Sequence, residues 1–231
     1  MNSSVKSLFD KLSLALNLSK KNRPSMEEIH SEFYLQKDIV SMEYSDLNRF
    51  DIFSKYCKNA RVLHVGCTQY PITDINNSLH IELASVCKLI DGFDVDHSGY
   101  KVLAPYVHNG RFLEDLTEAT EYDLVIIPEV LEHVGNVQDF FALMSNIKSK
   151  RYIVTVPDIY QCMDRHFRAT KNGEFSNVSE GVHPDHNYWF SPYTLRNTIN
   201  KYTDWSLDGL FWINKISLMA VCSSVELRVT K

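Results

Sequence analysis

Glu121-Tyr-Asp-Leu-Val-Ile-Ile-Pro-Glu-Val-Leu-Glu-His-Val134 is the stretch on which the reading of the fold turns. Within its first half Leu124-Val-Ile-Ile127 is an unbroken apolar run rich in β-branched residues, without the polar alternation of a half-solvated strand. Such a strand is covered on both faces, as in a parallel sheet flanked by helices. Pro128 ends the run, and the Leu-Glu-His-Val segment then reads as a turn. Polar and titratable groups directly after a buried strand stand where open parallel sheets receive ligands.

The neighbouring sequence repeats the pattern. Arg61-Val-Leu-His-Val65 reads as a strand that stops at Gly66, and residues 88–93 and 151–156 read as two more. A weaker strand is expected over 110–113. Helical material lies between them, including residues 137–148, where Asn136 is a candidate N-cap and Asp139 sits near the positive helix end. Strands alternating with helices indicate an α/β, doubly wound, mostly parallel sheet. Further on, residues 171–187 are polar and read as a long loop or lid, and Ser191-Pro192 opens a helix through Tyr202. Residues 205–212 and 216–223 read as two strands paired antiparallel at a sheet edge, turning at Asn214-Lys215.

The N-terminal part has a different character. Val5, Leu8, Phe9, Leu12, Ala15 and Leu16 fall at helical spacing among lysines, giving a basic amphipathic helix suited to packing on the domain, to a partner or to a membrane surface. Pro24-Ser25 begins a second helical stretch expected to run through Ile39, Phe50 and Phe53 to about Tyr56.

Composition narrows the function classes. The 231 residues are 44% hydrophobic and 12% aromatic, which suits a globular domain. A net charge of -5 argues against a broad nucleic-acid footprint. The five cysteines are scattered without a CxxC pair, which argues against both a disulfide framework and a zinc-binding pattern. No apolar run is long enough to span a bilayer and no signal-peptide core is evident, so a cytoplasmic location is expected.

Three further motifs bear on chemistry. Gly66 lets a ligand approach the backbone at a strand end. Asp94, 28 residues later in Asp91-Gly-Phe-Asp-Val-Asp96, is placed to accept both hydroxyls of a ribose. His183-Pro-Asp-His186 precedes Tyr188-Trp-Phe190, and these aromatics are candidates for walling an acceptor pocket. Histidines and carboxylates in that pattern accept protons or ligate metals; no metal is assigned from spacing alone.

With these motifs in this order, residues 61–223 resemble a class I S-adenosylmethionine-dependent methyltransferase, of the branch that carries Glu-Val-Leu-Glu-His-Val after its fourth strand. The resemblance implies a Rossmann-like, seven-stranded sheet with an antiparallel last strand. It divides the chain into an N-terminal helical segment, residues 1–58, and a cofactor-binding domain, residues 59–231. The implied cofactor is S-adenosylmethionine, with S-adenosylhomocysteine as product. Its implied contacts are Gly66, Cys67, Asp94, Val95, Asp115, Leu116, Pro128 and Glu129, with Asp115 and Leu116 in an adenine-contacting turn. His133, His183 and His186 are the candidate catalytic residues. One departure stands out: the family's glycine-rich first loop reads Gly66-Cys-Thr-Gln-Tyr-Pro71 here, with only the first glycine kept.

The expected activity is methyl transfer to a hydroxyl or amine of a small metabolite, a sugar or glycan precursor being one class, without nucleic acid as partner. Two alternatives stay open: a binding or scaffold module that kept the fold without turnover, and a protein or nucleic-acid methyltransferase. The oligomeric state is not legible.

Overall fold

The computed structural model describes residues 36–69, 73–172 and 175–224. Contacts group Ile39–Lys231 into one compact unit. The amphipathic helix expected over 5–18 and the start of the second at Pro24 lie outside the described residues.

The main sheet has eight strands: β1 (Ser41–Tyr44), β2 (Arg61–Val65), β3 (Leu89–Phe93), β4 (Phe112–Leu113), β5 (Tyr122–Pro128), β6 (Ser149–Pro157), β9 (Ser206–Ile213) and β10 (Ser217–Ser223). Their spatial order is β1-β9-β10-β6-β5-β2-β3-β4. Strands β2 to β6 run parallel to one another, while β10 is antiparallel to both β6 and β9. From β2 the chain builds outward through β3 and β4, then returns to lay β5 on the other side of β2. That reversal makes the gap between the carboxyl ends of β2 and β5 the topological switch point.

Strand periodicity divides the core into two layers. Val62, Ile90, Leu124 and Ile126 face one way, against Ile52 and Phe53 of helix α1 (Arg49–Cys57) and Leu79 and Leu83 of α2 (Leu79–Ala84). Leu63, Val65, Val125 and Ile127 face the other way, against Phe141 and Met144 of α4 (Val137–Ser145) and Leu195 and Ile199 of α6 (Pro192–Tyr202). Helices α3 (Tyr100–Leu103) and α5 (Ile159–His166) complete the set among the described residues. Burial on both faces is what the unbroken apolar runs require.

Local signals act where expected. Asn136 Oδ1 accepts from the backbone N–H of Gln138 and Asp139, opening α4, which ends three residues before the expected stop. Ser191 and Thr194 form a reciprocal capping box on α6. Asn214 and Lys215, both at positive φ, turn β9 into β10 as a type I′ geometry demands. All five cysteines are buried and unpaired. No helix among the described residues is long and apolar enough to cross a membrane.

Three expectations are corrected. The helix expected to run through Ile39 is replaced, over Ser41–Tyr44, by β1, which pairs parallel with β9 and adds an eighth strand to the seven expected. Tyr44 stacks on Phe211, with ring centroids 5.1 Å apart, and this cross-strand contact outweighs a weak local helical pattern. Helix α1 starts later, capped by Asn48. Residues 39–57 thus belong to the same compact unit as the sheet. Finally, much of the expected loop over 171–187 is an antiparallel hairpin, β7 (Phe167–Asn172) with β8 (Phe175–Glu180). Residues 168–170 and 177–180 are exposed, Val178 at 77%, so hydrophobic patterning had little to report there.

Candidate active site

A cavity of about 800 Å³ opens at the switch point, lined by the turns after β2, β3 and β5, by the first residue of α1 and by the loop before β-strand-paired Phe190. Two open parallel strands end there in backbone that only a small or strained residue permits.

Gly66 has φ +77°, and a Cβ built on it would lie 2.4 Å from Val130 Cγ2. Gly66→Ala is expected to weaken ligand binding at this cavity and to destabilise the fold by about 1–2 kcal/mol, read by calorimetry and thermal unfolding. Unchanged affinity and melting temperature would contradict this placement. Gly66 and Cys67 both donate backbone N–H to Phe93 O, tying the first loop to the end of β3. Cys67 is buried, its thiol held protonated by burial and by the Asp94 charge.

Asp94 follows β3 directly. One carboxylate oxygen accepts from Thr68 N at 2.8 Å and the other from Asp96 N at 3.0 Å. The aspartate therefore organises the loop that replaces the missing glycines, and each oxygen keeps a lone pair for a ligand. Val95 beside it is 90% exposed, an apolar face at the cavity lip.

Across the cavity lie Pro128 and Glu129 at the end of β5. Glu129 sits at φ 53°, a strained conformation for a non-glycine residue. Its carboxylate accepts from Thr155 Oγ1 at 2.7 Å, and burial pushes its pKa up. Glu132, only 1% exposed, is pushed up to about 9 by burial and the neighbouring Glu129.

His133, His183 and His186 converge. Each offers a ring nitrogen, and these nitrogens lie within 4.8 Å of one another. His133 and His183 line the cavity. His133 Nδ1 is 3.1 Å from Asp185 Oδ2. Burial, reinforced by the other two imidazoles, lowers His186 to about 4. Two segments 50 residues apart in sequence are thereby brought together, which no local pattern announces.

Other expectations part from the structure. Asp115 caps its own 3-10 turn, accepting from Thr117 N at 2.7 Å, and neither it nor Leu116 lines the cavity. Tyr188, Trp189 and Phe190 do not line it either: Phe190 is in the core, Trp189 packs on Phe167 and hydrogen-bonds Glu180, and Tyr188 bonds Gly135 O. No described residue of the hairpin lines the cavity. Sequence reasoning passed over Arg49, which is half-buried at the cavity wall, and His64, whose place inside β2 marked it only as a strand residue. Glu132 was in plain view within the quoted motif, but its burial was not.

No family model matches the chain, and no curated protein matches it in sequence. Solved structures do match in shape. A SAM dependent methyltransferase from Aquifex aeolicus is similar at TM-score 0.55 and 11% identity, over 78% of this chain and 91% of that one. The PH0226 protein from Pyrococcus horikoshii OT3 gives 0.52 at 13% identity, over 75% and 86%. An S-adenosylmethionine dependent methyltransferase from Mesorhizobium loti gives 0.50 at 9% identity, over 72% and 92%. With the strand order and the antiparallel β10, these likenesses establish that the chain has the class I S-adenosylmethionine-dependent methyltransferase fold.

Proposed function

We propose that this chain is an S-adenosylmethionine-dependent methyltransferase acting on a hydroxyl or amine of a small metabolite. The observation that carries the reading is Asp94, fixed by Thr68 N and Asp96 N beside the side-chain-free Gly66 at the switch-point cavity. An immobilised carboxylate there suits the two hydroxyls of a ribose, and exposed Val95 offers a purine an apolar face. Arg49, on the cavity wall, is the candidate for the cofactor's carboxylate, which a guanidinium binds through paired hydrogen bonds. Gly66, Cys67, Pro128 and Glu129 surround the remaining cofactor. Asp115 and Leu116 are given no part in this arrangement.

Methyl transfer from a sulfonium needs alignment more than activation of the leaving group. The acceptor lone pair forms the new bond to the methyl carbon while the C–S electron pair returns to sulfur, leaving S-adenosylhomocysteine. A hydroxyl acceptor must also lose its proton. The histidine cluster at the cavity mouth is the group placed to activate it. A cavity of about 800 Å³ on a chain of net charge -5 favours a small molecule over nucleic acid.

Calorimetry tests the reading. Wild type is expected to bind S-adenosylmethionine and S-adenosylhomocysteine with micromolar dissociation constants. Asp94→Ala should weaken both by about 10- to 100-fold, the loss of charge-assisted hydrogen bonds. Absence of binding to either ligand would overturn the proposal and favour a scaffold that kept only the fold.

A further inference from the structure

The histidine cluster is built more elaborately than a lone base requires. His133 sits in the turn after β5, where its N–H bonds Val130 O at 2.9 Å. The loop carrying His183 and His186 is clamped onto that turn by three hydrogen bonds. Asn187 N donates to Glu132 O at 2.7 Å, Asn187 Nδ2 to His133 O at 3.0 Å, and Tyr188 Oη to Gly135 O at 3.1 Å. A further bond, His186 N to His183 O at 3.0 Å, folds the two loop histidines toward one side. The rings meet at centroid distances of 4.6 Å for His133–His186, 5.5 Å for His183–His186 and 5.7 Å for His133–His183.

Beside the imidazoles lies a buried carboxylate with one oxygen left unpartnered. Glu132 is 1% exposed, its Oε1 is 3.9 Å from His133 Nε2, and its Oε2 is buried with no hydrogen bond. His186 Nδ1 is likewise buried and unbonded. Buried polar atoms left unpaired are costly, and Glu132 Oε2 beside three converging imidazoles, one of which has its own Nδ1 unbonded, makes a donor set that a cation satisfies.

We propose that His133, His183 and His186 hold a divalent transition-metal ion at the mouth of the cavity, with Glu132 as its buried carboxylate neighbour. Imidazole-rich sets suit zinc and its neighbours in the first transition row rather than magnesium, which prefers oxygen. Four-coordinate zinc at ordinary Zn–N lengths separates its nitrogen ligands by about 3.4 Å. The nitrogens here, all within 4.8 Å, reach that by modest rotamer adjustment on the loop. Asp185 Oδ2, at 3.1 Å from His133 Nδ1, orients that ring through its second nitrogen, as outer-shell carboxylates do for ligating histidines. Three protein nitrogens leave a fourth position open toward the cavity, where His133 and His183 are exposed to it.

The consequence for the reaction rests on the methyltransferase reading. An acceptor hydroxyl coordinated through its oxygen loses its proton to solvent water at neutral pH. Its lone pair then forms the C–O bond, the C–S pair returns to sulfur, and the ion keeps its charge. The substrate class that fits is an oxygen acceptor able to reach the cavity mouth, in preference to an amine, which needs no such activation.

The test is a titration of the full chain, first stripped with chelator, with Zn²⁺, Co²⁺ and Mg²⁺ in the absence of cofactor. A single equivalent of Zn²⁺ or Co²⁺ is expected to bind, with Mg²⁺ failing to compete, and the cobalt form should show the visible absorption of a four-coordinate nitrogen site. His183→Ala, a change at an exposed loop residue, should lower zinc affinity by about 100-fold or more. The same variant should leave thermal unfolding of the metal-free protein unchanged. Absence of stoichiometric binding, or binding that survives replacement of all three histidines, overturns the metal site. S-adenosylmethionine binding to the metal-free protein is measured in parallel. Its loss with zinc binding intact overturns the methyltransferase reading alone, and the converse overturns the metal site alone.

Discussion

Gly110→Ala is expected to prevent folding or to lower stability by more than about 3 kcal/mol. A Cβ at this position would stand 1.7 Å from Ile90 O and 2.5 Å from Ile90 C, both backbone atoms of β3, which is paired on both sides. Neither side has freedom to retreat. Ile90 N donates to Asn109 O at 3.1 Å and Gly92 N to Arg111 O at 2.9 Å, so the flanking residues are pinned to β3. Asn109 Nδ2 bonds Ala84 O and Cys87 O, and Arg111 N bonds Asp91 Oδ1. Relieving the clash means breaking several of these, each worth about 1 kcal/mol, in a fold whose whole margin is about 5–15 kcal/mol. Soluble yield and thermal unfolding report the result; a soluble variant melting within about 4 °C of wild type would contradict it.

The second large effect is acid lability arising inside β2. His64 and His80 are both buried, with Nδ1 atoms 3.1 Å apart, so one ring donates to the other and both are neutral. Burial lowers His80 to about 3. His64 is held well below its ordinary value by burial, by His80 and by Arg49. In the unfolded chain both protonate near pH 6.5. Below that pH the unfolded state takes up protons that the folded state refuses. The stability they contribute is therefore complete above pH 6.5 and is lost as pH falls toward 3. For His80 alone the loss reaches about 2 kcal/mol by pH 5, and His64 adds to it in the same direction. His80→Leu leaves His64 Nδ1 unpaired and should destabilise the protein at pH 8, yet flatten the decline on acidification. Urea midpoints between pH 4.5 and 8 read both effects, and an unaltered slope would falsify the assignment.

These two cases show how differently parts of the molecule are written in its chain. Residues 124–127 are apolar without interruption and residues 62–65 are broken only by His64, and such runs have no stable place except between two covered faces. Parallel strands, their order of appearance and the carboxyl ends at which the cavity opens were legible for that reason. Asn136, Ser191 and the Asn214-Lys215 turn were legible because capping and turn chemistry act over four residues or fewer. Gly66 and Asp94 were legible because each terminates a strand whose neighbour is dictated by the fold.

Everything that depends on distant segments meeting was decided by tertiary structure. Strand β1 exists because β9 offers it an edge and Phe211 a ring to stack on. The residues of the β7–β8 hairpin whose burial is described are exposed apart from the half-buried Phe167, so they leave no hydrophobic period to read. Arg49 reaches the cavity from a helix that precedes the first strand of the parallel core, and His64 is neutral only because α2 sets His80 against it. The three histidines were each visible as residues, but their convergence rests on Asn187 and Tyr188 clamping a late loop to the turn after β5. Sequence by itself determined the layers and the end of the sheet at which the cavity opens, since burial periodicity and turn chemistry are local. Which side chains share that place was settled only by long-range packing and hydrogen bonding, because contacts between distant residues carry no spacing in the chain.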